Sequence, residues 1–90
     1  MNIQIHIFYS GTVQGIGFRY TIENFAVSSK LKGWVRNLPD GRVEMMAEGP
    51  EETVKQFCAY IEKHFDGYIK NKEENIQSFS GVFKTFEIIR

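Results

Sequence analysis

Three glycines within seven residues, Gly11-Thr12-Val13-Gln14-Gly15-Ile16-Gly17, lead directly into Phe18-Arg19. Glycine lets a backbone turn tightly and brings N–H groups up to a ligand with no Cβ in the way. The apolar positions that follow, Phe18, Ile22, Phe25 and Ala26, have the spacing of an amphipathic helix. The first N–H groups of a helix lack intrahelical partners and carry the positive end of its dipole. Loop and helix start together can therefore cradle a tetrahedral anion such as phosphate. Arg19, one residue into the helix, adds a planar fork that grips two phosphate oxygens at once. The spacing is neither that of a P-loop nor that of a dinucleotide-binding loop, because the Lys-Ser/Thr pair and the G-x-G-x-x-G pattern are both absent. Taken alone, the glycines fit equally well a strand-to-helix connection that needs unusual backbone angles.

Asn37 is the second candidate. It closes the segment Gly33-Trp34-Val35-Arg36-Asn37, just before Pro39-Asp40-Gly41. Its amide offers an acceptor and two donors without a charge, so it can hold and orient a water molecule. On position alone, an asparagine at a strand end is usually a turn former.

The elements that must carry these groups are readable from period and punctuation. Ile3, Ile5, Ile7 and Tyr9 alternate with polar residues and predict a first strand. A helix from Phe18 should stop near Ser28–Lys30. Residues 32–38 read as a second strand and Arg42–Glu48 as a third, joined by the Asp40-Gly41 hairpin turn. Gly49-Pro50-Glu51-Glu52 has a helix-start signature, with Pro in the first turn and carboxylates at the positive helix end. Val54, Phe57, Cys58, Ile61 and Phe65 supply that second helix with an apolar stripe. Residues 66–75 are polar, and Lys70-Asn71-Lys72-Glu73-Glu74 reads as a solvated loop. Strands are expected at Ile76–Ser80 and Lys84–Ile89. The resulting β-α-β-β-α-β(-β) order calls for an α+β sandwich, two helices on one face of a mostly antiparallel sheet of four to five strands.

Ninety residues make one domain, spanning 1–90. With 42% hydrophobic and 14% aromatic residues the chain can bury a core, which argues against disorder. Eleven basic and eleven acidic side chains cancel, so bulk charge gives no hold on nucleic acid or anionic lipid. No run approaches the ~18 apolar residues of a membrane span, and no secretory signal opens the chain. The single cysteine, Cys58, excludes an intramolecular disulfide framework and a cysteine-clustered metal site. A cytoplasmic monomer is the expectation.

The motifs Gly11-Thr12-Val13-Gln14-Gly15-Ile16-Gly17-Phe18-Arg19, Gly33-Trp34-Val35-Arg36-Asn37 and Asp40-Gly41-Arg42-Val43-Glu44 resemble the acylphosphatase family. That family's G-x-V-Q-G-V-x-F-R loop, G-W-V-x-N strand and D-G-x-V turn occur in the same order and at similar spacing. Ala26, Glu48-Gly49, Val54 and Phe57 fit the pattern too, so the likeness spans about residues 5–61, with a weaker echo in Phe86–Arg90. Ile16 stands where the family usually has valine, which leaves the backbone donors untouched. Residues 66–80 depart further, because the usual apolar strand there is thinned by Lys70–Asn75.

The resemblance implies a ferredoxin-like βαββαβ sandwich that hydrolyses small acyl phosphates to a carboxylate and inorganic phosphate, with no metal and no cofactor. Arg19 matches the phosphate-binding arginine and Asn37 the water-positioning asparagine. The backbone N–H groups of Gly15, Ile16, Gly17 and Phe18 would line the phosphate cradle. The partner implied is a small-molecule acyl phosphate, not nucleic acid or membrane.

Other polar residues are better read as structural. His6 falls on the polar face of the first strand and His64 near a helix end, where a protonated imidazole suits the dipole. Neither has metal-site spacing with Cys58 or carboxylates. Cys58 lies in the helix stripe and reads as a buried, inert thiol. Trp34 could cover the site or simply pack. Arg36 and Arg42 read as solvated, although either could raise the local positive potential. One of Met45 and Met46 must fill core. An RNA-recognition domain shares the element order, but its aromatic RNP1 string lies on the third strand. Here the loosely similar Gln14–Tyr20 precedes the first helix, and Arg42–Glu48 has no aromatic residue. The remaining rival is an anion-binding relative without hydrolysis.

Overall fold

The computed structural model describes residues 1–90. The N-terminal alternation becomes strand β1 (Asn2–Gly11), with Ile3, Ile5, Ile7 and Tyr9 buried and the residues between them half-exposed. Helix α1 (Phe18–Ser28), strands β2 (Lys32–Asn37) and β3 (Val43–Pro50), helix α2 (Glu51–His64), and strands β4 (Ile69–Ser78) and β5 (Phe86–Ile88) follow. The sheet order is β4-β1-β3-β2-β5. All neighbouring strands are antiparallel except β2 and β5, which run parallel. Ile22 and Ala26 of α1 join Val54, Phe57, Cys58 and Ile61 of α2 in one core with the inward residues of β1, β2 and β3. The observed architecture is therefore the α+β sandwich expected from the element order, and it is ferredoxin-like as the resemblance implies.

Burying those apolar stripes at ~25 cal/mol per Å² is what holds the helices down. α2 also has Glu51 and Glu52 in its first turn and Lys63 in its last, charges that complement the helix dipole. β3 continues two residues beyond the expected Glu48 and runs straight into α2, with Pro50 at the N-cap. No helix is long and apolar enough to cross a membrane.

The C-terminal third differs from expectation. Lys70–Asn75 is not a loop but the middle of β4, which begins at Ile69 and ends at Ser78, short of Ser80. The physical reason lies at its inward positions. Lys72 and Glu74 stand opposite Tyr9 and Ile7 of β1, where an apolar alternation would normally appear. There Lys72 Nζ meets Glu62 of α2 and Glu74 at 2.5 and 3.0 Å, so ion pairs cap the core edge. A charged edge strand also resists pairing with other chains. The last strand is shorter than expected, with only Phe86–Ile88 in the ladder beside Gly33–Val35.

Because β4 and β5 are opposite edges of the sheet, residues 79–85 must cross it. They do so on the face away from the helices. Glu48 projects from that face of β3 and is almost fully buried. Its carboxylate accepts hydrogen bonds from the Ser80 N–H and hydroxyl, the Gly81 N–H and the Gln4 side-chain amide.

Candidate active site

Gly15 and Gly17 both have φ of +78°, in the left-handed region that L side chains rarely adopt. Gly17 is the N-cap of α1 and offers no side chain to its first N–H groups. Two left-handed glycines flank Ile16, and alternation of this kind is the backbone setting in which successive N–H groups form an anion-binding nest. Phe18 anchors the helix start, its ring 5.2 Å from Tyr9 and 4.6 Å from Phe65. With Phe18 locked in the core, the next residue, Arg19, comes out half-buried at the mouth of the loop. It joins none of the ion pairs of the molecule. The first turn of α1 carries no acidic residue either, so no carboxylate of that turn competes for the guanidinium.

Asn37 arrives from the other half of the fold. It pairs with Val43 at the end of the β2–β3 ladder and shares the inward face of Val35. Its Oδ1 is buried and has no hydrogen-bond partner in the chain. Val13, Gly15, Gly17, Phe18, Arg19, Tyr20 and Asn37 line one pocket of about 120 Å³. A hollow of about 310 Å³ between the end of α2 and β4 brings together none of these groups. An unpaired guanidinium, free helix-start N–H groups and a neutral amide facing one small space can bind a tetrahedral anion and a water beside it.

Residues 5–88 match the family model described as acylphosphatase. The acylphosphatase of Bacillus licheniformis is 44% identical over 88 residues, covering 96% of this chain and 97% of that one. The crystal structure of acylphosphatase from Bacillus subtilis superposes with a TM-score of 0.90 at 34% identity, over 98% of this chain and 99% of that chain. An acylphosphatase from Coxiella burnetii gives a TM-score of 0.86 at 26% identity, over 98% and 93% of the two chains.

The chain belongs to the acylphosphatase family.

It is accordingly a hydrolase with acylphosphatase activity, and its substrate is an acyl phosphate. Of the residues that the sequence of this acylphosphatase singles out, Gly15, Gly17, Phe18, Arg19 and Asn37 meet in the pocket, whereas the Ile16 side chain packs against the core. Val13 and Tyr20 also line the pocket, and sequence reasoning misses both.

Sequence reasoning misses Gln14 as well. Its Nε2 donates to Leu38 O at 2.9 Å and to Arg42 O at 3.0 Å, tying the loop to the β2–β3 hairpin. Its sequence signals are an amide inside a glycine-rich loop and the Gln position of the loop motif, and neither says what the side chain holds. Its acceptors are backbone atoms far along the chain, which no local pattern reveals.

Trp34, Arg36 and Arg42 lie away from the pocket. Arg36 donates to Glu44 at 2.7 Å and stacks over Trp34, while Arg42 pairs with Asp40 and lies over Phe8. His6 meets Glu44 at 2.7 Å on the same helix-free face. No group of three or more His, Cys, Asp or Glu side chains is gathered to hold a metal ion.

Proposed function

We propose that Arg19 and the backbone N–H groups of Gly15 to Phe18 bind the phosphoryl group, and that Asn37 orients the attacking water. The observation that carries this reading is the convergence of the unpaired Arg19, the left-handed glycines and Asn37 on one pocket of about 120 Å³. Asn37 lines the same pocket as Arg19, and that placement supports the second role, since a neutral amide there can hold a water beside the anion.

The chemistry is within reach of so small a set. Water oxygen bonds to phosphorus as the bond from phosphorus to the acyl oxygen breaks, and the carboxylate leaves with the electron pair. A carboxylate is a good leaving group, so no strong general acid is required. The water proton goes to a phosphate oxygen of the substrate itself, because neither motif supplies a base. Catalysis then consists of positioning and of stabilising charge on the equatorial oxygens. A pocket that grips mainly phosphate leaves the acyl group outside, which favours broad acyl specificity. One domain over residues 1–90, acting as a cytoplasmic monomer, completes the proposal. Size-exclusion chromatography with light scattering tests the last point, and a stable dimer would refute it.

The decisive assay is hydrolysis of benzoyl phosphate with a chelator present, for the wild type, Arg19→Ala and Asn37→Ala. Losing a preorganised donor at a developing oxyanion costs ~10²–10³ in rate. Arg19→Ala should therefore lose both phosphate binding and turnover. Asn37→Ala should mainly lower kcat, because its amide acts on the water and not on the substrate. A raised KM with unchanged kcat in Asn37→Ala would overturn its role. Activity abolished by the chelator would overturn the metal-free mechanism. Phosphate binding by a folded wild type that hydrolyses no acyl phosphate would mark an anion-binding relative.

A further inference from the structure

The two halves of the pocket come from distant segments, and one side chain joins them. Gln14 immediately precedes Gly15 of the loop. A glutamine amide nitrogen has two N–H donors, and both are used across the β2–β3 hairpin, one on Leu38 O and one on Arg42 O. Those two carbonyls face each other just outside the last ladder pair, Asn37–Val43. Leu38 N–H already donates to Arg42 O at 2.8 Å, and Gly41 N–H to Leu38 O at 3.2 Å. Gln14 therefore supplies the second donor to each carbonyl and bridges both strands at the hairpin neck. Leu38 is the residue next to Asn37, so the clamp fixes the backbone that aims the Asn37 amide.

We infer that Gln14 is a positioning residue of the hydrolysis. By holding the hairpin neck against the phosphate loop it sets the distance from the Asn37-held water to the phosphorus. The inference rests on the proposed role of Asn37, and it assigns Gln14 no contact with substrate. It divides the site into a binding half, which Gln14 leaves intact, and a water-orienting half, which depends on it.

A side chain that sets alignment alone should move kcat and spare binding. In Gln14→Met, which keeps the volume and loses both donors, kcat should fall ~10- to 100-fold, the scale of a misplacement of about 1 Å. KM and competitive inhibition by inorganic phosphate should stay near wild type. Gln14→Glu supplies a readout that general destabilisation does not move. Its carboxylate repels the two carbonyls when ionised and can donate one hydrogen bond when protonated. The nearest charges of the hairpin, Asp40 and Arg42, are paired with each other at 2.8 Å. Turnover of Gln14→Glu relative to wild type should therefore rise as pH falls, while the same ratio for Gln14→Met stays flat.

Thermal melts of both variants establish that they are folded. A Gln14→Met enzyme with wild-type kcat, or one in which KM rises and kcat holds, overturns the clamp. So does a Gln14→Glu ratio that does not change with pH. If Asn37→Ala itself keeps its kcat, the role of Asn37 fails. If Asn37→Ala is impaired and Gln14→Met is not, only the clamp fails.

Discussion

The carboxylate of Glu48 accepts both the N–H and the hydroxyl of Ser80, at 2.9 and 2.5 Å, and so lashes the β4–β5 connection across the helix-free face of the sheet. Burial pushes this carboxyl toward a higher pKa, but hydrogen bonds from the Ser80 hydroxyl and N–H, Gln4 and the Gly81 N–H outweigh it. The result is a pKa below the ordinary glutamate value of 4.5. A group whose folded pKa is depressed stabilises the fold above its unfolded value, and that stability is lost as pH falls through the folded one. Glu44 is depressed too, its burial outweighed by His6 and Arg36, and titrates in the same acid range. The informative quantity is therefore the difference between wild type and Glu48→Gln in urea melts. It should be about 1–3 kcal/mol at neutral pH and shrink as pH falls below the ordinary glutamate value. A difference that does not vary with pH would show that the ionised form of Glu48 is not what holds the strap.

Gly17 combines a left-handed backbone with a place in the pocket wall. An L side chain there is strained by about 1–2 kcal/mol, and relief of that strain would turn the first N–H groups of α1. Gly67 is the natural control. It too has a positive φ, of 88°, and open space where a methyl group would sit, but it lies in the turn after α2. Gly17→Ala and Gly67→Ala should lose similar stability in denaturant melts. Only Gly17→Ala should raise KM for benzoyl phosphate. An equal KM in the two variants would disconnect the glycine conformation from anion binding.

How much of this is legible in the sequence follows from where each signal is stored. β1, α1 and the α2 stripe declare themselves because a single face of each is apolar and packs on one core. β4 does not, because Lys72 and Glu74 occupy its inward positions and are satisfied by each other and by Glu62. An ion-paired edge strand leaves no period-two signal. Arg19 and the glycines are legible because anion binding at a helix start is a local device. Asn37 carries a weaker signal, since its meaning depends on a loop about twenty residues earlier. Gln14 and Glu48 show only as positions of the family pattern, and their roles are not legible, for both work through acceptors or donors brought in by tertiary folding.

Phosphate should stabilise the protein against heat through the Arg19 pocket. A ligand that binds only the native state adds RT ln(1 + [L]/Kd), about 2.7 kcal/mol at one hundred times Kd. Inorganic phosphate should raise the wild-type Tm in a concentration-dependent way at constant ionic strength. Arg19→Ala should lose most of that shift, while Asn37→Ala should keep it. Sulfate, a tetrahedral dianion, should act like phosphate, and chloride should not. An undiminished phosphate shift in Arg19→Ala would place the anion elsewhere on the molecule.

Cys58 tests the same equilibrium from the buried stripe of α2. It is 7% exposed, and its thiol is pushed up to about 12, chiefly by burial and secondarily by the Glu74 charge. The thiolate is the reactive form, so native Cys58 should resist iodoacetamide at mildly alkaline pH and react only when α2 opens from β1 and β4. Its alkylation rate should then rise with urea and fall when phosphate is added to the wild type. In Arg19→Ala the urea dependence should persist and the phosphate protection should disappear, as read by mass spectrometry of the intact chain. Rapid alkylation without denaturant would mean that the thiol is reached through the groove between α2 and β4, without any opening of the core.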